Sequence, residues 1–265
     1  MSDIVEISAG TSLAVEVTGA GETLLLVQGM SGHGGMWGSE LVDDLARDFD
    51  VVVYDHRGIG QSARADDPFT IADLADDAAA LLTALGRDSV HVMGISMGGM
   101  VAQELALRHP ERVRSVVLGC TTAGGPGAFD APGPTRMVEA ISTRDPEVAT
   151  RVGFEVNVSA EFASRPGELE RFRETSLSRR VPVAVVRAQS IAALHHDAAA
   201  RLGELSIPAA VIHGEEDQMI LVSEGERLVE LVPGAEREIW PGVGHLFWWE
   251  RPAETAAVIR RTATR

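Results

Sequence analysis

No lysine occurs anywhere in the chain, so all 23 of its basic residues other than histidine are arginine. That absence bears first on VQGMSGHGGMWG (27 to 38), a stretch with five glycines that follows a short apolar run. A nucleoside triphosphate loop needs a lysine to reach the outer phosphates. A dinucleotide loop needs a third glycine where the next helix packs on its strand, and counting from Gly32 and Gly34 that place falls on Trp37. Both phosphate readings therefore fail on residue type. Cysteine is almost as scarce. The single Cys120 excludes an internal disulfide framework and a cysteine-based metal cluster, and reads as a small buried hydrophobe. No apolar run approaches the length of a membrane span, and MSDIVEISAG has neither the basic start nor the apolar stretch of a signal peptide. The expectation is a soluble cytoplasmic protein. Positive charge is in deficit: 23 arginines stand against 39 acids, a net charge of −16 at pH 7. Such a surface repels phosphate backbones and anionic membranes, so neither nucleic acid nor membrane is expected as a partner, and a neutral substrate is favoured over an anionic one. The alanine-rich, arginine-only usage is that of a GC-rich bacterial genome.

What is present is an ordinary globular core, 45% apolar over 265 residues, enough for one large domain with an insertion. Short aliphatic and β-branched runs bounded by turn residues read as eight strands: IVEIS (4 to 8), LAVEV (13 to 17), TLLLV (23 to 27), VVVYD (51 to 55), VHVMG (90 to 94), VVLG (116 to 119), AAVIHG (209 to 214) and REIW (237 to 240). Helical patterns lie between several of them, at 71 to 85, 97 to 109, 223 to 231 and 252 to 263. The first two strands alternate, as an antiparallel hairpin does. The later ones are continuous and separated by helices, as buried parallel strands are. The predicted fold is α/β, a mostly parallel eight-stranded sheet flanked by helices. Its alternation breaks after the glycine-proline loop GGPGAFDAPGP, where helix-like segments follow with no clear strand. Residues 124–205 are therefore expected to form a helical cap inserted between core segments 1–123 and 206–265.

The chemistry centres on GISMGG, at the end of the strand VHVMG and the start of a helix. Gly94, Ser96 and Gly98 form G-x-S-x-G in a strand, turn, helix context, where a sharp turn forces the serine into a strained conformation with its hydroxyl exposed above the sheet. The flanking positions must be glycine, because a side chain there would collide with neighbouring backbone. A glycine-rich helix start with an incidental serine is the competing reading. A serine hydroxyl needs a base, and the base needs an orienting acid. His245, in the loop GVGHLFWW between the last strand and the last helix, is the candidate base. Of the other histidines, His91 and His213 lie on strands, His109 ends a helix, His56 is in a turn, His195 and His196 belong to the cap where exposure is the default, and His33 lies in the glycine loop. Asp217, in HGEEDQM after the strand AAVIHG, is the candidate acid, with Glu215 and Glu216 as neighbouring alternatives. The glycine loop then has a use. An attacked ester carbonyl becomes an oxyanion that needs fixed donors, and the backbone N–H groups of Met97 and Met30 are placed to provide them. Met30, Met36, Trp37, Met97, Met219 and Phe247 are the expected apolar substrate contacts.

QGMSGHGGMW, YDHRGIGQS, GISMGGMVAQELALRHPERV, HGEEDQM and GVGHLFWWERP together resemble the α/β-hydrolase superfamily across essentially the whole chain, the cap being least alike. Within it they look most like small bacterial esterases and the 3-oxoadipate enol-lactonase branch. The resemblance implies a Ser96, Asp217, His245 triad needing no metal or organic cofactor, acting on a small-molecule ester or lactone. The serine nucleophile separates the chain from the aspartate-nucleophile epoxide hydrolases and haloalkane dehalogenases. Where many relatives begin the oxyanion loop with His-Gly, this chain has Gln28-Gly29. The DHRGIGQS turn reads as structural, with Arg57 paired to an acid such as Asp55. An enol-lactonase would place an arginine in the pocket, with Arg136, Arg179, Arg180 and Arg187 as candidates. A ligand sensor would keep the triad but turn over slowly or not at all.

Overall fold

Five consecutive strands are buried on both faces along nearly their whole length, which is why their sequences run apolar without alternation. The computed structural model describes residues 2–65 and 67–265. Its eight strands are β1 (Asp3–Ser8), β2 (Thr11–Gly19), β3 (Glu22–Val27), β4 (Phe49–Tyr54), β5 (Val90–Ile95), β6 (Val113–Gly119), β7 (Ala209–Gly214) and β8 (Glu236–Trp240). They form one sheet in the order β1-β2-β4-β3-β5-β6-β7-β8. The β1–β2 hairpin is antiparallel and joins β4 antiparallel, while β3 to β8 are mutually parallel.

Helices α1 (Ser39–Leu45), α2 (Ile71–Ala84), α3 (Met97–Arg108), α9 (Val222–Leu231), α10 (Phe247–Glu250) and α11 (Pro252–Ala263) connect or follow strands. Between β6 and β7 come α4 (Pro132–Ser142), α5 (Pro146–Glu155), α6 (Ala160–Ala163), α7 (Glu168–Leu177) and α8 (Val183–Leu194). Two apolar clusters cover the sheet's faces: one packs α2 and α3 against it, the other α1, α10 and α11. Local signals agree with these bounds. Thr70 caps α2 in a reciprocal box with Asp73, and α11 opens on Pro252, where a missing N–H costs nothing.

Because β3 to β8 run the same way, the turns after β3, β5, β7 and β8 all emerge at one edge of the sheet. That edge is where parallel α/β sheets bind ligands. The ion pairs around it differ from the sequence expectation. Arg57 does not pair with Asp55; it forms a bidentate contact with Asp77 of α2, both bonds 2.6 Å. Asp55, almost fully buried, accepts Gly34 N–H at 2.7 Å and holds Arg179 Nη1 at 2.9 and 3.0 Å. The reason is local crowding. Gly60 (φ 57°) passes so close that a Cβ there would lie 2.1 Å from Asp55 Oδ2, and the turn carries Arg57 away to α2.

Candidate active site

Ser96 sits between β5 and α3 with φ 54° and ψ −125°, a conformation that side chains other than glycine rarely adopt. Holding it costs on the order of 1 to 3 kcal/mol. The surrounding backbone imposes it: Ser96 N–H donates to Gly119 O at 2.9 Å, and Thr121 Oγ1 donates to Ser96 O at 2.6 Å. The flanking glycines are sterically required. A Cβ at Gly94 would lie 2.1 Å from Gly98 O, and one at Gly98 would lie 2.2 Å from Val27 O. So tight an approach brings α3 down onto the end of β3, beside the glycine loop. Gly29 and Ser96 become neighbours, and a Cβ on Gly29 would be 3.0 Å from Ser96 Cβ.

Asp217 lies in the turn after β7, buried, with Asp217 N–H closing onto Gly214 O at 3.2 Å. Its Oδ1 accepts Met219 N–H at 2.7 Å and Ile220 N–H at 3.0 Å, and its Oδ2 accepts His245 Nδ1–H at 2.7 Å. A second histidine is present as well. His213 Nε2 lies 3.2 Å from the same Oδ2 and 3.0 Å from Ile220 O. Burial alone would raise the Asp217 carboxyl, but the charges of His245 and His213 and the hydrogen bonds they donate hold it well below the usual carboxylate range. It is therefore ionised at neutral pH. Glu215 and Glu216 are exposed on the outside of the turn.

His245 follows Gly244, whose missing side chain lets the loop pass 2.5 Å (measured from an added Cβ) from the Val158 backbone. Leu246 N–H donates to Asn157 O at 2.7 Å, and Gly244 N–H to Glu250 Oε1 at 2.9 Å, so the loop is pinned on both sides of the histidine. With Nδ1–H committed to Asp217, Nε2 is the nitrogen able to take a proton. His245 and Ser96 both line one cavity of about 590 Å³. Among the described residues no hydrogen bond joins them.

The glycine loop forms a turn closed by Gly32 N–H on Gly29 O at 3.1 Å. His56 Nε2–H braces it at Gln28 O, 2.9 Å away, and Gly29 N–H reaches Gln28 Oε1 at 3.3 Å. Two backbone donors beside Ser96, Met30 N–H and Met97 N–H, have no partner among the described residues. Unpartnered N–H groups in such a place suit a developing negative charge.

Met30, Met36, Met137, Met219, Phe129 and Phe172 give the cavity an apolar, deformable wall. Among the described residues no arginine, aspartate or glutamate lines it. Arg179 is committed to Asp55 and Glu16, Arg136 to Gln218 and Glu155, and neither Arg180 nor Arg187 reaches the cavity wall. Two expected contacts are corrected. Trp37 and Phe247 do not face the cavity; they are core. Trp37 packs on Trp248 with ring centroids 5.3 Å apart, and Phe247 fills the space left by Gly119, where a Cβ would meet its ring at 2.5 Å. The Met97 side chain is core too and does not line the cavity. Two further histidines also differ from expectation. His196 is buried rather than exposed, 3.7 Å from Glu104, and burial pushes it down to about 4. His213 contributes to the site, a role that its place on a strand concealed. The one sequence hint was its spacing, four residues before Asp217 across a tight turn.

Cys120, His213 and Asp217 bring three possible metal-ligating atoms within 4.8 Å. Metal binding would need the thiolate, whereas burial and the nearby Asp217 push the Cys120 thiol well up. Both Asp217 oxygens already accept hydrogen bonds. Cys120 Sγ donates to Gly244 O at 3.9 Å and His213 lies against the carboxylate, so the trio does not fit a metal cradle.

Comparison with known proteins gives the family. Residues 22–252 match a family described as alpha/beta hydrolase fold. A protein of Caulobacter sp. strain K31, provisionally named carbamate hydrolase RutD, is 30% identical over 249 residues, 90% of this chain and 89% of its own. A 2-hydroxy-6-oxononadienedioate/2-hydroxy-6-oxononatrienedioate hydrolase of Paraburkholderia phymatum is 32% identical over 92% of this chain and 88% of its own. Among solved structures, the esterase RhEst1 of Rhodococcus sp. ECU1013 superposes with a TM-score of 0.84 at 26% identity, covering 99% of this chain and 98% of that one.

Proposed function

Because the chain belongs to the alpha/beta hydrolase family, we propose that it is a serine hydrolase of a neutral, largely apolar carboxylic ester. The observation that carries the choice of substrate is the cavity: Ser96 and His245 stand on the wall of an apolar space with no formally charged side chain among the described residues. An anionic carboxylate buried there would go unpaired, at a cost of several kcal/mol. That weighs against an anionic lactone of the 3-oxoadipate type and against a dioate such as the substrate named for the Paraburkholderia relative. Helices α4 to α8, within 124–205, act as the cap that closes this space.

In the proposed reaction Ser96 Oγ attacks the ester carbonyl while His245 Nε2 accepts the hydroxyl proton. The oxyanion is held by the N–H groups of Met30 and Met97. When the tetrahedral intermediate collapses, the bond to the alcohol oxygen breaks and His245 returns the proton to it, leaving Ser96 acylated. Water enters, gives its proton to the same nitrogen and displaces the acyl group as a carboxylic acid, restoring Ser96. Asp217, kept ionised by its donors, fixes the imidazole tautomer and stabilises its charged form.

The test is a rate panel on p-nitrophenyl esters from acetate to laurate beside a negatively charged five-membered enol-lactone, each repeated with Ser96→Ala. Rapid turnover of neutral esters, at least 10³-fold faster than in the alanine variant, is expected. Exclusive turnover of the anionic lactone would overturn the substrate class. Ligand binding with no turnover of any kind would replace the enzyme by a sensor.

A further inference from the structure

The turn that carries the Met30 donor is not held by the sheet domain alone. Ser31, its third residue, has φ 58°, a left-handed conformation unfavourable for a residue with a side chain. The peptide joining Met30 to Ser31 must therefore be held from outside, and the group that holds it comes from the cap. Gln189 of α8, completely buried, accepts Ser31 N–H through Oε1 at 2.9 Å, across 158 residues of sequence. Since a backbone N–H can only donate, the amide oxygen must face it. Two further contacts join the same loop to the cap. His33 Nε2–H donates to Thr175 O at 3.0 Å, and the hydroxyl of Ser190, next to Gln189, meets Met30 Sδ at 3.2 Å. Gln189 itself does not line the cavity, so its contribution to a reaction must pass through the loop.

We propose that Gln189 is a positioning residue through which the cap completes the oxyanion hole: its bond to Ser31 N–H fixes the peptide after Met30 and, with the turn closed by Gly32 N–H on Gly29 O, restricts the rotation of Met30 that sets where its N–H points. The inference rests on the serine-hydrolase reading above. A displacement of α8 alone, with Asn157 still on the His245 loop, would leave Ser96, His245 and Asp217 in place and still remove one of the two oxyanion donors. Catalysis would then be coupled to the seating of α8 over a substrate. Because the ground-state ester carbonyl depends far less than the oxyanion on these donors, the coupling acts on turnover and not on substrate affinity.

The test compares wild type with Gln189→Leu, which removes the acceptor, and Gln189→Glu, which keeps an acceptor oxygen at the same reach. The readouts are kcat and KM on the best p-nitrophenyl ester, the inhibition constant of an alkyl trifluoromethyl ketone, whose serine adduct carries an oxyanion, and hydrogen exchange of the 28–33 amides. For Gln189→Leu, kcat is expected to fall about 10- to 100-fold with KM within about twofold, the ketone to weaken in parallel and the loop amides to exchange faster. Gln189→Glu should recover most of each loss. Unchanged kcat and ketone affinity in Gln189→Leu, or a rise in KM alone, would overturn the proposal, as would equal losses in both variants. Loop exchange needs no substrate, so an inert wild type with faster exchange in Gln189→Leu would sink the esterase reading while leaving the cap-to-loop contact standing. Unchanged exchange would sink the contact.

Discussion

At the scale of single residues, Asp217, the proposed acid, is more elaborately held than a triad requires. Asp217 takes hydrogen bonds from two backbone N–H groups and from His245, with His213 against the same oxygen as His245. Gly225 of α9 makes this arrangement possible, since a Cβ there would lie 2.5 Å from His213 Nδ1. Replacing His213 by leucine keeps bulk and removes the donor. A charge-assisted hydrogen bond contributes about 1.5 to 3 kcal/mol, and if half of that is felt in the transition state, kcat falls about 3- to 10-fold with KM little changed. Steady-state kinetics of His213→Leu beside a thermal melt checks this; a variant as fast as wild type would show that the backbone donors suffice. The sequence nominates Ser96, Asp217 and His245 because each belongs to a short turn of recognisable spacing, and the structure sets Asp217 on His245 and puts Ser96 and His245 on one cavity wall. The sequence did not make the cavity wall legible, because neighbours in a tight helical turn point opposite ways. Met36 lines the cavity while Trp37 is core; Leu246 and Trp248 line it while Phe247, between them, does not. Choosing among them from the sequence requires a direction that composition does not carry.

At the scale of elements, strands and helices were readable from periodicity, and the contacts that fasten helices α4 to α8 to the sheet were not. Asp55 and Arg57 are two residues apart, which made their pairing a natural expectation. The actual partner of Asp55 lies 124 residues away, at the start of the chain leading into α8. Arg179 joins that aspartate and Glu16 of β2 to the segment between α7 and α8, and Asp55 in turn holds Gly34 of the glycine loop. Removing the arginine leaves a buried carboxylate short of its counter-ion. Arg179→Ala is expected to cost about 3 kcal/mol in chemical denaturation, the lower end for a broken buried pair, because the guanidinium keeps partial solvent access. Loss of less than about 0.5 kcal/mol would mean that the pair contributes little more than a surface one.

At the scale of the whole molecule, the parallel sheet brings four distant turns to one edge, and its net charge of −16 surrounds a cavity whose own wall carries none among the described residues. Fold class was legible because strand runs and helical patterns alternate along the chain. How helices α4 to α8 pack around the cavity was not, since their sequences specify helical segments without saying which face meets which. The central claim is covalent: an ester leaves its acyl group on Ser96 before water removes it. The most direct measurement is rapid-quench mass spectrometry of the intact protein mixed with p-nitrophenyl butyrate, followed by peptide mapping. The account expects a butyryl adduct confined to the peptide containing Ser96, formed as p-nitrophenol is released and missing in Ser96→Ala. Release of p-nitrophenol with no covalent adduct under quench, in an enzyme whose turnover survives Ser96→Ala, would contradict it.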